Sequence, residues 1–334
     1  MRAVVLVGGF GTRLRPLTAT VPKPMLPVGH VPIIQRLTAN LARGGVTEVT
    51  LALGFKPEPF LEAFPDGVCE GVQLHYAVEP EPLDTAGAIR FAVESAGIDS
   101  TFVVANGDVL TDLDIGRLVA FHRKRGAEGT LHLIDVDDPS AFGVVALDAN
   151  GRVERFVEKP APGTAPSHLI NAGTYVLEPS VVARIPAGRK VSIERATFPL
   201  VVADGGLYAL ATDDYWIDTG RPELYLEANL DLLAGLRAYD TCTAVHPTAR
   251  VHHTAAVIGS IIGHDVEVGA GALVNRSVLL PRAVVEAGAL VEDSVVMGRV
   301  GEGAHVRRSV LGAVGVVAPG EQLEDVRRPD SDVT

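Results

Sequence analysis

Cysteine is scarce: among 334 residues only Cys69 and Cys242 carry thiols, far apart and without metal-ligand spacing. That excludes a disulfide framework and a zinc knuckle, and it suits a reducing cytoplasm. Long apolar runs are missing too; no stretch approaches the roughly 18 apolar residues that span a bilayer, so no membrane segment is expected. Residues 1–9 are too short, and too soon followed by charge, to read as a signal peptide. Cations are outnumbered, 29 Lys and Arg against 41 Asp and Glu, for a formal charge of −12. Broad nucleic-acid binding needs clustered Lys and Arg and is not expected, whereas a local cationic site for a small phosphorylated ligand is compatible with an acidic chain. Ordinary globular chemistry is what remains, with 47% hydrophobic residues. At this length that fits a large domain plus a smaller one.

The first 235 or so residues alternate strand-like and helix-like segments. Residues 2–9 (RAVVLVGG) read as a buried strand ending in glycines, followed by strands over 46–54, 101–108, 130–136 and 207–212. Residues 32–43 place Ile33, Ile34, Leu37 and Leu41 at helical spacing and stop at Gly44-Gly45, and residues 222–233 form an amphipathic helix after an N-terminal proline. Residues 143–147 and 152–157 flank Asn150-Gly151, a strong hairpin signal. Such alternation predicts an α/β domain over 1–235 with a mixed, mostly parallel sheet, whose ligands would sit beyond the carboxyl ends of the strands.

After about Asp240 the texture changes. Ser260-Ile261-Ile262 recurs as Ser277-Val278-Leu279, Ser294-Val295-Val296 and Ser309-Val310-Leu311, at offsets of 17, 17 and 15. Within each turn an aliphatic residue returns about every six positions, as in Ile262, Val268 and Val274. That period fits neither a helix nor an alternating strand. It predicts a prism-shaped coil with three flat sides and aliphatics stacked inside. This pattern resembles the left-handed hexapeptide β-helix, expected here over 244–320 as roughly four coils, with a polar tail over 321–334. His246, His252, His253, His264 and His305 fall in it without a catalytic setting and read as surface residues.

The chemistry concentrates at Gly8-Gly9-Phe10-Gly11-Thr12-Arg13-Leu14-Arg15-Pro16, with Pro22-Lys23-Pro24 soon after. Glycines after a buried strand let backbone approach a ligand, and successive N–H groups form an anion nest. Arg13, Arg15 and Lys23 supply cations suited to a triphosphate. A P-loop is excluded because no Gly-Lys-Ser/Thr follows, and a dinucleotide fingerprint because Leu14 replaces its third glycine.

This composite resembles the signature of sugar-1-phosphate nucleotidyltransferases, the family that includes the mannose-1-phosphate guanylyltransferases. The likeness continues through Thr85-Ala86-Gly87, Gly107-Asp108, Glu158-Lys159-Pro160, Asn171-Ala172-Gly173 and Trp216-Ile217-Asp218-Thr219-Gly220. It implies transfer of a nucleotidyl group from a nucleoside triphosphate to a sugar 1-phosphate, with release of pyrophosphate. Carried over position by position, it implies a nucleotide site from Leu6, Gly8, Gly9, Gly11, Thr12, Arg13, Lys23, Glu79, Ala86, Gly87, Gly107 and Asp108. It implies Mg²⁺ on Asp108 and Asp218. Sugar phosphate is implied at Gly143, Glu158, Lys159, Asn171 and Trp216, with Lys159 on the phosphate. Arg13, Lys23, Asp108, Lys159 and Asp218 are then the catalytic set.

Pro-Lys-Pro-Met and Thr-Ala-Gly lie nearer the guanylyltransferases than the thymidylyl- or uridylyltransferases, which are the alternative. A carboxylate at Glu79 could accept from guanine N1–H and N2–H₂, or be merely solvated. Asp84 stands where many guanylyltransferases have glycine, which puts that loop's backbone contact to the base in question. A non-catalytic regulatory subunit should have lost Arg13, Lys23, Asp108 or Lys159; all four are present. A homo-oligomer assembled through the β-helix is expected, as is a folded α/β domain in a chain cut near Gly235.

Overall fold

The structure, a computed structural model, describes residues 1–9, 11–54 and 57–329. Phe10 of the glycine segment and residues 330–334 of the expected tail lie outside the described residues. The chain divides into two compact units: Met1–Gly9 with Ile34–Trp216, and Phe10–Ile33 with Ile217–Thr334. The N-terminal signature segment thus groups with the C-terminal half of the chain.

The first unit is built on a ten-stranded mixed sheet. At its centre Val72–Val78, Glu48–Leu53, Arg2–Leu6 and Phe102–Asn106 lie side by side in parallel. The last three of these strands are short runs rich in Val, Leu and Ala whose middle residues are buried, as expected where helices cover both faces of a sheet, whereas burial alternates along Val72–Val78. Strand Leu169–Leu177 runs antiparallel beside Phe102–Asn106 and pairs with both Gly129–Asp135 and Gly143–Leu147. The hairpin forms as read from Asn150-Gly151: Gly143–Leu147 pairs with Val153–Glu158, setting Gly143 opposite Glu158. The parallel register brings Leu6, Ala52 and Asn106 level. Gly8, Gly54, Glu79 and Gly107 therefore follow four neighbouring strands at one carboxyl edge.

In the second unit three parallel sheets, each of five strands, form the faces of a left-handed β-helix. Ile262, Leu279, Val296 and Leu311 stack inside one corner, and Val274, Val291, Val306 and Leu323 inside another. The recurring serines line a third column, all buried. Each hydroxyl donates to the carbonyl two residues back, as Ser277 does to Asn275 at 2.8 Å. Each also accepts the N–H of the next coil: Ser277 from Ser294 at 3.1 Å, and Ser309 from Val326 at 3.1 Å. The residues before three of these serines, Arg276, Asp293 and Arg308, and Asp325 at the matching position before Val326, all take positive φ at the turn. Their alternating charges pair down the corner, Arg276 to Asp293 at 3.0 Å and Arg308 to Asp325 at 2.7 Å.

Two expectations need correction. The coils number five rather than about four, and the polar tail does not begin at 321: Gln322–Glu324 and Arg327–Arg328 continue the faces. Polar composition misled because Arg327 and Arg328 occupy a face with outward side chains, while Leu323 alone fills the interior. The histidines fit the surface reading; His246 and His252 accept the N–H groups of Thr248 and Thr254 at turns.

The serine column carries a test. Ser277→Ala strands the Ser294 N–H inside the coil, a loss of about 1–3 kcal/mol. A lower thermal melting midpoint is expected, whereas exposed Thr254→Ala should be nearer neutral. Equal midpoints for wild type and Ser277→Ala would remove the column's structural role.

Candidate active site

Within the first unit, the carboxyl edge is shaped by glycines that admit backbone where a side chain could not fit. A Cβ on Gly54 would lie 2.6 Å from the Gly8 carbonyl, and one on Gly107 would lie 2.5 Å from Val7 Cγ1. Gly107 donates its N–H to the Leu6 carbonyl at 2.9 Å. Asp108 follows, half-buried, in the turn before Val109–Thr111. Facing Gly8 is Glu79, only 7% exposed. Its Oε1 lies 3.6 Å from where a Gly8 Cβ would stand, and its Oε2 accepts the Leu83 N–H at 2.9 Å. Burial pushes the Glu79 carboxyl up, with the Leu83 N–H acting against it. The solvated alternative for Glu79 is therefore excluded.

Asp84 takes φ 59°, the left-handed conformation that favours glycine, and its Oδ1 accepts the Thr85 N–H at 2.8 Å. The backbone shape a glycine would give is retained, with an exposed carboxylate added; Asp tolerates this region better than most residues. Ala86 and Gly87 lie buried in the first turn of helix Asp84–Ala96. Both N–H groups donate to the Val191 carbonyl, at 2.8 and 3.3 Å. Gly87 is needed there for packing, since a Cβ would meet the Arg189 carbonyl at 2.6 Å.

The hairpin brings the sugar-phosphate candidates together. Glu158 Oε2 lies 2.9 Å from where a Gly143 Cβ would be, so this glycine makes room for the carboxylate. Burial and the neighbouring Glu194 raise the Glu158 carboxyl, while Lys159 and Arg195 oppose them. Lys159 adopts φ 50°, and its exposed side chain stands 3.8 Å from Glu158 Oε1. A left-handed lysine is costly and such strain clusters at functional sites. Asn171 lies in a bulge of Leu169–Leu177, donating to Tyr175 Oη at 2.9 Å and accepting the Gly173 N–H at 3.2 Å. Trp216 donates to the Ala172 carbonyl at 2.9 Å and packs edge-on to Phe142. Asn171 and Trp216 thus brace the bulge with their polar atoms.

Sequence reading passed over Glu194. It sits in a π-helical turn, Ile193–Thr197, and accepts from Thr85 Oγ1 at 2.9 Å and Ser192 Oγ at 2.6 Å. Ser192-Ile193-Glu194 looks like an ordinary helix start, and the Ser192 hydroxyl does accept the Arg195 N–H. Only the approach of Thr85, 109 residues away, and of Glu158 marks it as part of a site.

Within the second unit, Gly11 takes φ 59° and opens a short 3₁₀ turn, Thr12–Leu14, with Thr12 and Arg13 exposed. Lys23 is 7% exposed, and its Nζ stands 3.5 Å from Asp218 Oδ1. The same oxygen accepts the Gly220 N–H at 2.8 Å. A Cβ on Gly220 would lie 2.8 Å from Arg13 Nη2, 2.8 Å from Asp218 Oδ1 and 3.2 Å from Lys23 Nζ. Gly220 is thus the point around which two cations and a carboxylate gather, an arrangement suited to a polyphosphate and its counter-ion.

The chain belongs to the nucleotidyl transferase family of enzymes, matched over residues 2–235. Residues 239–324 match the GMPPB C-terminal domain. Mannose-1-phosphate guanylyltransferase of Mycobacterium tuberculosis is 42% identical over 299 residues, covering 87% of this chain and 82% of that protein. A probable mannose-1-phosphate guanylyltransferase 1 of Oryza sativa subsp. japonica is 38% identical across 100% of this chain and 92% of its own length. Among solved structures, HddC from Yersinia pseudotuberculosis superposes with a TM-score of 0.59 at 30% identity, over 68% of this chain and 97% of that one. No helix among the described residues is long and apolar enough to cross a membrane.

Proposed function

We propose that the chain transfers a guanylyl group from GTP to mannose 1-phosphate, forming GDP-mannose and pyrophosphate. The observation that carries nucleotidyl transfer is the gathering of Arg13, Lys23 and Asp218 around Gly220. Guanine is favoured by the buried Glu79 carboxylate, and a mannosyl phosphate by likeness to relatives so named over most of the chain.

The sugar phosphate oxygen attacks the α-phosphorus in line. One P–O bond forms as the α–β bridge breaks, and pyrophosphate carries away the electron pair. No protein nucleophile is required, so the side chains act by position and charge. Arg13 neutralises the β- and γ-phosphates, and Lys23 the α-phosphate as pyrophosphate charge develops. Lys159 holds the incoming phosphate, and Glu158 accepts from sugar hydroxyls in the room left by Gly143.

Nucleotidyltransferases of this family generally use a divalent metal. No group of three or more His, Cys, Asp or Glu that could hold a metal is assembled among the described residues. Mg²⁺ is usually held by one or two carboxylates with phosphate oxygens and water, and so does not need such a group. Asp108 and Asp218 are the residues that would hold it, where it would neutralise phosphate charge.

The stacked flat faces of the β-helix support assembly of identical copies through that domain. Thiols without a disulfide at Cys69 and Cys242 support a cytoplasmic setting. A matrix assay of GTP, UTP, dTTP and ATP against mannose 1-phosphate and glucose 1-phosphate, following pyrophosphate, tests the assignment. The GTP and mannose 1-phosphate pair should give the highest kcat/KM; a faster uridylyl or thymidylyl pair would replace it.

A further inference from the structure

The backbone carbonyl of Arg13 poses a local problem. In the 3₁₀ turn the Leu14 N–H donates to Gly11 O at 2.9 Å and the Arg15 N–H to Thr12 O at 3.2 Å. The next donor in that series would come from residue 16, which is proline and has no N–H. Arg327 supplies a donor instead: its Nη1 lies 2.9 Å from the Arg13 carbonyl, across 314 residues of chain. The Arg327 Nη2 stands 3.8 Å from Glu223 Oε1, at the start of helix Pro222–Leu233. One coil earlier, Gly312 abuts Pro16 so closely that a Cβ would fall 2.7 Å from Pro16 Cβ and 3.1 Å from its carbonyl oxygen. The last coils of the β-helix thus hold both ends of the Arg13–Pro16 step.

We infer that Arg327 is a positioning residue for nucleotidyl transfer: from the fifth coil of the β-helix it fixes the turn that presents Arg13 to the triphosphate. An exposed arginine on a three-residue turn has little packing of its own to hold it. Only Leu14 of that turn is buried. A donor on the carbonyl of Arg13 itself fixes the plane of the following peptide, and so the direction in which its guanidinium leaves the backbone. The β-helix then contributes to triphosphate binding without touching the nucleotide. This inference rests on the reading of Arg13 as a triphosphate contact.

Steady-state kinetics on the full-length chain decides it. Arg327→Ala should raise KM for the nucleoside triphosphate about tenfold, leaving KM for the sugar phosphate and the melting midpoint close to wild type. Arg327→Lys keeps one donor and should recover most of the loss. Gly312→Ala, which pushes on Pro16 from the same side, should raise the same KM and serves as an independent probe if Arg327→Ala is poorly folded. Glu223→Gln, which leaves the bond to Arg13 in place, should stay within about twofold of wild type. The inference is overturned if Arg327→Ala and Gly312→Ala leave the triphosphate KM unchanged, or if both substrates' KM values rise together with a fall in melting midpoint. Arg13→Ala run alongside separates the two ideas: unchanged triphosphate KM in that variant would defeat the reading of Arg13 itself.

Discussion

Asp108→Asn and Asp218→Asn should each lower turnover about 10²- to 10³-fold, the loss typical of removing one preorganised electrostatic partner of a transition state. Both substitutions keep side-chain size and remove one negative charge. At Asp218 an asparagine oxygen still accepts the Gly220 N–H now held at 2.8 Å, so the local turn survives. What is lost is the anion facing Lys23 at 3.5 Å and a ligand suited to a divalent ion. At Asp108 the half-buried carboxylate lies in the turn between Phe102–Asn106 and Val109–Thr111, where asparagine is equally at home. Melting midpoints should therefore stay near wild type while turnover collapses. A Mg²⁺ titration sharpens the test: the half-saturating concentration should rise in both variants. Near-normal turnover with Mg²⁺ limiting, or an unchanged half-saturating concentration, would remove that aspartate from the metal role.

Where the sequence was legible, local chemistry and periodicity pointed the same way. The aliphatic period near six predicted the three faces, whereas the recurring serine marked the repeat without revealing that it forms a buried hydrogen-bonded column. The five coils were undercounted because the last keeps only two interior aliphatics, Val317 and Leu323, has Arg328 where the third is expected, and has Val326 where earlier coils have serine. Glu194 stayed hidden for a similar reason, since its partners Thr85 and Glu158 are distant in sequence. Gly87 shows what a family motif leaves unsaid: its lack of a side chain also serves packing, since a Cβ would meet the Arg189 carbonyl.

The division of the chain was the hardest feature to foresee. A composition change near residue 240 marks where the hexapeptide repeat begins, but compactness places residues 10–33 with 217–334. Long-range contacts made by residues such as Arg327 and Gly312 leave no trace in local periodicity. A chain cut near Gly235 would lose both residues. The folded α/β domain expected of such a cut chain would then lack these supports of its signature turn.

Glu79→Gln should weaken preference for GTP over UTP and dTTP while nucleotidyl transfer itself continues. Guanine offers N1–H and N2–H₂ as adjacent donors, and an ionised carboxylate is an acceptor with about four lone-pair sites. Oε2 is engaged by the Leu83 N–H at 2.9 Å, which fixes the carboxyl plane and leaves Oε1 on the Gly8 side to receive the base. A uracil or thymine would present a carbonyl to that oxygen. Losing a charge-assisted bond in a desolvated site costs on the order of 1.5–3 kcal/mol, or roughly 10- to 100-fold in selectivity. Glutamine can still accept from Leu83 but turns an amide donor or a neutral acceptor toward the base. The pH dependence has a definite sign. Burial raises the Glu79 carboxyl, so guanine preference should fall with decreasing pH at values above the ordinary glutamate range. For stability, a carboxyl raised in the fold favours the folded state below its unfolded pKa and loses that contribution as pH rises through the folded one. At neutral pH, Glu79→Gln should therefore melt no lower than wild type even as its selectivity declines. Competition kinetics with GTP, dTTP and UTP across pH, beside a melting curve, would decide it. Unchanged discrimination in the glutamine variant, or a wild-type preference for dTTP or UTP, would take base recognition away from Glu79 and leave nucleotidyl transfer standing.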